Sequence, residues 1–145
     1  MNEYYEPPKN ESPQPANPLD LAGDAIKRFD QKVVAESKEK LQRLSQERLG
    51  AIKKEGEEIA RALALLMPMP VESEQVQTLI RRHHQNIENF YHVTKELYQG
   101  LGELYVIDPD FTAFYNQFAA GLADYLSQAI SYYCNTEFKE IYQHR

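Results

Sequence analysis

Between Val34 and Leu66 the apolar residues fall mostly three, four and seven apart: Val34, Leu41, Leu44, Leu49, Ile52, Ile59, Leu63 and Leu66. That is the period of a helix with one buried stripe. Charged residues fill the other faces, and Glu36 with Lys40 and Glu57 with Arg61 stand four apart in the favourable acid-first order. The pattern predicts helix over about residues 19–67, with Gly50 and Gly56 as the weak points where it bends or divides. Pro68 and Pro70 end it, because proline cannot continue the ladder. Ser73 then reads as the N-cap of a helix running to about residue 99. Its inner side carries Val76, Leu79, Ile80, His83, Ile87, Phe90, Thr94 and Leu97.

Gly100 and Gly102 are expected to stop that helix, leaving a short helical turn over 101–107. Asp108-Pro109 supplies an N-cap and a first-turn proline for another short helix, bearing Phe111, Phe114 and Tyr115. Gly121 opens the last helix, whose apolar side holds Leu122, Tyr125, Leu126, Ala129, Ile130 and Tyr133. No stretch alternates with period two, so no strand is predicted. The expected fold is all-α, with four or five helices over residues 19–145. Residues 1–18 hold five of the eight prolines and no apolar period. They read as a flexible arm.

Composition narrows the function classes. The 145 residues suit one domain. The net charge of −6 disfavours sequence-independent nucleic-acid binding, which depends on Lys and Arg neutralising phosphates. Cys134 is the sole cysteine, which excludes an intrachain disulfide and a cysteine-based zinc site. The first residues are acidic and polar, and no apolar run approaches the roughly 18–20 residues of a membrane span. A cytoplasmic protein with no membrane partner is expected.

The candidate chemistry is aromatic. Eleven of the sixteen Phe and Tyr residues lie between Phe90 and Tyr133, and seven of these are Tyr. A buried tyrosine hydroxyl needs a partner. So many of them on inward faces fit either a binding cleft with polar handles or an aromatic core with hydroxyls at its edge. Arg81-Arg82-His83-His84 reads as a solvated surface with His83 turned inward, or as an anion contact. Residues 83 and 84 lie about 100° apart, not at the i, i+4 spacing of a zinc helix. No catalytic constellation, metal set or cofactor motif is present, so an enzyme is not expected.

The stretch from His83 to Tyr133 resembles the TipAS antibiotic-recognition domain, the effector module of TipA-like regulators of the MerR family. Its features are Val76 and His83, the Phe90-Tyr91 pair, Tyr98 with Leu101-Gly102 and Tyr105, Asp108 with Phe111, Tyr115, and Gly121-Leu122-Ala123 with Tyr125, continuing to Ala129-Ile130. The likeness covers about residues 72–133. It implies a globin-like arrangement that takes a bulky multi-ring antibiotic of the thiopeptide class in an aromatic cleft. The lining expected on that basis is Tyr91, Tyr98, Leu101, Tyr105, Phe111, Tyr115 and Tyr125, with His83 helping to orient the ligand. Glycines 100 and 102 would break the chain so that it wraps this concavity.

Two departures from the family accompany the resemblance. Only the proline-rich arm precedes the first helix, so the expectation is a binder without a DNA-binding domain. Some members capture ligand through a thiol, and Cys134 matches no such position, so non-covalent binding is expected. A different class remains open: a regulatory module, including a homodimer, pairing through residues 19–67. A haem-binding globin using His83, His84 or His92 is a third reading, by fold analogy alone.

Overall fold

The computed structural model describes residues 35, 36, 39, 40 and 42–141. The expected arm over 1–18, and the start of the helix placed over 19–67, lie outside the described residues. Five helices follow in order: α1 (Gln46–Leu66), α2 (Glu74–Ile87), α3 (Lys95–Ile107), α4 (Pro109–Asn116) and α5 (Leu122–Thr136). No strand occurs among the described residues. The fold is all-α, as the periodicity predicts.

The first helical region does divide, but not at a glycine. Gln42 and Arg43 are helical, the chain bends at Leu44, and α1 restarts after Ser45. The Ser45 hydroxyl accepts from the Arg48 N–H at 3.0 Å, taking up one of the donors a helix start leaves open. Gly50 and Gly56 lie within α1. The buried stripe of α1 is Ile52, Ile59, Ala60 and Leu63. It packs chiefly on α2. Both acid-first pairs form, Glu36 with Lys40 at 3.6 Å and Glu57 with Arg61 at 3.5 Å.

The helix expected from Ser73 to about residue 99 is two helices. α2 ends at Ile87 and α3 begins after Thr94. No glycine or proline marks the break. Side chains hold it instead: Glu88 Oε1 accepts from Val93 N–H at 3.2 Å, and Thr94 Oγ1 accepts from Leu97 N–H at 3.1 Å. Gly100 and Gly102 do not stop the helix. Both sit inside α3, which overturns the expectation of a chain broken there to wrap a concavity. Gly102 has a packing role. A Cβ at this position would stand 3.2 Å from Ile130 Cγ2. The missing side chain therefore lets α3 lie close against α5, the most extensive helix pairing in the fold.

The remaining boundaries follow the sequence. Asp108 caps α4 by accepting from Asp110 N–H at 2.9 Å, with Pro109 in the first turn. Gly121 adopts φ 85° and leads into α5, a left-handed conformation that only glycine takes freely. The Tyr125 hydroxyl donates to Met69 O, tying α5 to the loop between α1 and α2.

Candidate functional site

The aromatic residues form a continuous row through the interior. Phe138, just beyond α5, stacks on His84 of α2 with centroids 4.7 Å apart and planes 16° apart. His84 stacks on Tyr98 of α3 at 5.2 Å. Tyr98 lies 5.7 Å from His83, and His83 meets Tyr105 edge-on at 6.0 Å. Tyr105 touches Phe111 at 5.1 Å and Tyr115 at 5.0 Å. Tyr115 meets Phe114, Phe114 meets Phe118, and Arg61 lies 5.4 Å over the Phe118 ring. Tyr133 stands edge-on to His84, Tyr98 and Phe138.

Of the residues expected to line a cleft, Tyr91, Tyr98, Leu101, Tyr105, Phe111, Tyr115 and His83 are all buried, none exposed by more than 5%. Tyr125 is half-buried at the opposite end of α5 from Tyr133. The rings of His83, Tyr98, Tyr105, Phe111 and Tyr115 therefore touch in one closed cluster in this structure. A guest reaches them only where a covering side chain moves aside.

The cluster is apolar in bulk and polar at chosen points. His83 Nδ1 lies 2.7 Å from the Tyr98 hydroxyl, and His84 Nδ1 lies 2.8 Å from that of Tyr133. Tyr105 and Tyr115 are hydrogen-bonded through their hydroxyls. Burial pushes the Tyr91, Tyr98 and Tyr115 hydroxyls well above the usual phenol range, with neighbouring Tyr105 adding to each. They stay protonated, and each can donate as well as accept. Burial also drives His83 down to about 3 and His84 down to about 4, so both imidazoles are neutral at pH 7.

Two ring nitrogens in this cluster lack a hydrogen-bond partner, Nε2 of His83 and Nε2 of His84, the latter 3.8 Å from Glu88 Oε1. His83 Nε2 is buried with no partner. If Nδ1 donates to Tyr98, Nε2 is a bare acceptor; if the hydroxyl donates to Nδ1, Nε2 carries an unmatched N–H. Either way a buried polar group faces the rings unsatisfied, a state that costs about 1–3 kcal/mol.

The basic run at 81–84 is not the solvated surface with one inward histidine that its composition suggested. Both histidines are buried, because consecutive positions both fall within the wide arc of α2 covered by α3, α5 and Phe138. The arginines are committed to carboxylates. Arg81 holds Glu137 through Nε at 2.5 Å, and Arg82 grips Glu55 at 2.9 and 3.1 Å. The run is thus taken up by the fold rather than offered to an anion. His92, named in the sequence only as an imidazole for the haem reading, joins Glu88 at 2.7 Å and Glu140 at 2.8 Å. Among the described residues no group of side chains is arranged to hold a metal ion, and no helix is long and apolar enough to cross a membrane.

A helical domain threaded by a row of tyrosine and histidine rings is the class that the fold and its interior define. The family model of the TipAS antibiotic-recognition domain matches residues 22–133, and the chain belongs to that family. The fold is similar, with a TM-score of 0.71 and 28% identity, to TipAS from Streptomyces lividans solved in complex with nosiheptide as part of a thiopeptide antibiotic multidrug resistance system. That likeness covers 83% of this chain and 87% of that one. Among sequence relatives, the HTH-type transcriptional activator mta of Bacillus subtilis is 28% identical over 115 residues, 79% of this chain and 45% of that protein. The regulator SkgA of Caulobacter vibrioides is 38% identical over 71 residues, 48% of this chain and 28% of that protein. The activator TipA of Streptomyces coelicolor is 35% identical over 98 residues, 66% of this chain and 39% of that protein. The chain thus spans less than half the length of these regulators.

Proposed function

We propose that this protein binds a bulky, multi-ring antibiotic of the thiopeptide class, non-covalently, through its tyrosine–histidine cluster. The observation that carries the reading is the unpartnered His83 Nε2 inside a row of buried rings. Such an atom gains a hydrogen bond from a guest and loses nothing, because it is already desolvated. Rings of Tyr98, Tyr105, Phe111 and Tyr115 would stack or pack edge-on against ligand heterocycles, at about 0.5–1.5 kcal/mol per pair beyond burial. The hydroxyls of Tyr91, Tyr98, Tyr105 and Tyr115 supply donors. Leu101 contributes apolar wall, and Tyr125 stands at the half-buried edge. The similarity to a nosiheptide-bound TipAS adds to this.

Capture without a covalent bond is supported by Cys134. The thiol is buried, and that burial pushes it up to about 11. At pH 7 it is almost wholly protonated, and the thiolate is the nucleophile. The reading has no catalytic step. A cytoplasmic setting goes with it. Pairing through residues 19–67 gains no support from α1, whose apolar stripe is spent on α2 within the same chain.

Thermal unfolding in the presence of nosiheptide tests the proposal. A ligand at 100 times its dissociation constant adds about 2.7 kcal/mol of stability. No movement of the melting temperature with nosiheptide or other thiopeptides would remove the reading.

A further inference from the structure

Residues 137–141 cross the His84 end of the ring row after α5 has ended. Three contacts hold them there. Glu137 is paired with Arg81 of α2, its Oε2 2.5 Å from Nε. Phe138 lies flat on His84 at 4.7 Å. Glu140 accepts from His92 Nε2 at 2.8 Å, and the other nitrogen of that ring meets Glu88 at 2.7 Å. The two ion pairs flank the phenyl ring in sequence, so they fix both sides of its seat. His84 itself is 0% exposed; its Nε2 has no hydrogen-bond partner and lies 3.8 Å from the buried Glu88 Oε1. An imidazole covered on its face by a half-buried, end-of-helix phenyl ring has the form of a stacking site that is already filled.

We propose that residues 137–141 are a strap over the ring cluster, and that a planar ring of the incoming antibiotic takes the place of Phe138 on His84. The second half of this statement rests on the thiopeptide reading; the first half does not. The strap is suited to exchange because its ion pairs are solvent-accessible, with side-chain exposures of 37% and 34% for Arg81 and Glu137 and 35% and 37% for His92 and Glu140. Solvent-accessible pairs hold a segment weakly unless they are bidentate, and here only the Arg81–Glu137 pair is two-pointed, whereas the helices beneath are fixed by buried packing.

Mass-mapped carbethoxylation of His84 by diethyl pyrocarbonate in the full chain, without ligand, tests the cover. Phe138→Ala and the double variant Glu137→Gln/Glu140→Gln should each speed His84 labelling on the order of tenfold, the equivalent of one stacking contact. Phe138→Tyr should restore the slow rate, and His83, deeper in the row, should keep its own. An unchanged His84 rate in both opened variants overturns the strap. So does a parallel rise at His83, which would mean general unfolding. Amide exchange with nosiheptide bound tests the replacement: exchange in 137–141 should quicken while α3 and α5 slow, and slower exchange in 137–141 overturns it. Absence of nosiheptide binding by every form would sink the thiopeptide reading and with it the replacement, leaving the cover to stand or fall on the labelling.

Discussion

His83 on α2 and Tyr98 on α3 are joined by a 2.7 Å contact between imidazole Nδ1 and phenol oxygen, with both side chains buried. The Tyr98 oxygen also lies 3.4 Å from Ile80 O, so it is tied to one side chain and one carbonyl of the same helix. Deleting the hydroxyl strands His83 with neither nitrogen satisfied. Tyr98→Phe should therefore destabilise the protein by about 1–3 kcal/mol, read as a shift in the urea midpoint at unchanged slope. Adding His83→Leu to Tyr98→Phe should recover part of that loss, because the stranded polar group goes with it.

The two buried histidines make stability fall in acid. Their folded values lie near 3 and 4, below the roughly 6.5 of an unfolded histidine. Above pH 6.5 both states are neutral and the full stability is present. Below it the unfolded chain takes up protons that the folded chain refuses. Unfolding free energy should then drop by about 1.4 kcal/mol per pH unit for each histidine as pH falls from 6.5 toward 4. His92 has the opposite sign. Its partners Glu140 and Glu88 raise its pKa, so its contribution is whole below 6.5 and is lost as pH rises through the elevated folded value. Denaturant titrations of the wild type and of His92→Gln between pH 4.5 and 8.5 separate the two trends.

How far the sequence announces this structure depends on where each signal is stored. Pro68, Asp108-Pro109 and Gly121 act through their own local chemistry, and each lies at an element boundary; Ser73 stands at the N-cap position of α2, but its hydroxyl makes no capping bond. The glycines of α3 mislead, because Gly102 answers to Ile130, a residue 28 positions away that only the folded chain brings near. The break between α2 and α3 is hidden for the same kind of reason: a buried glutamate, Glu88, caps it, with no glycine or proline to mark it. The tyrosine content of residues 90–133 did point to the interior row. His84 and Phe138 were missed as members of it. A histidine beside two arginines looks solvated, and one phenylalanine among charged residues has no period to betray it.

Close approach of α3 and α5 at Gly102 is itself testable. Gly102→Leu places a side chain where Ile130 already sits, and overpacking of this kind costs about 1–3 kcal/mol. Thermal unfolding should show the loss, and α-helix content by circular dichroism should stay near that of the wild type, because α3 does not rely on the glycine to form.

Cys134 should be dispensable for ligand capture. With its thiol buried and pushed up to about 11, intact-mass spectra after incubation with nosiheptide should show no covalent adduct. Cys134→Ala should then hold nosiheptide with an affinity within about threefold of the wild type, a free-energy difference well under the 1.4 kcal/mol of a tenfold change.

The central claim is that the row of rings around His83 receives the guest. Side-chain-resolved NMR during a nosiheptide titration tests it most directly. The account predicts that the His83 ring nitrogens and the ring signals of Tyr98, Tyr105 and Tyr115 move together and saturate with the same isotherm. Tight binding that leaves those signals in place and shifts only surface residues would contradict it.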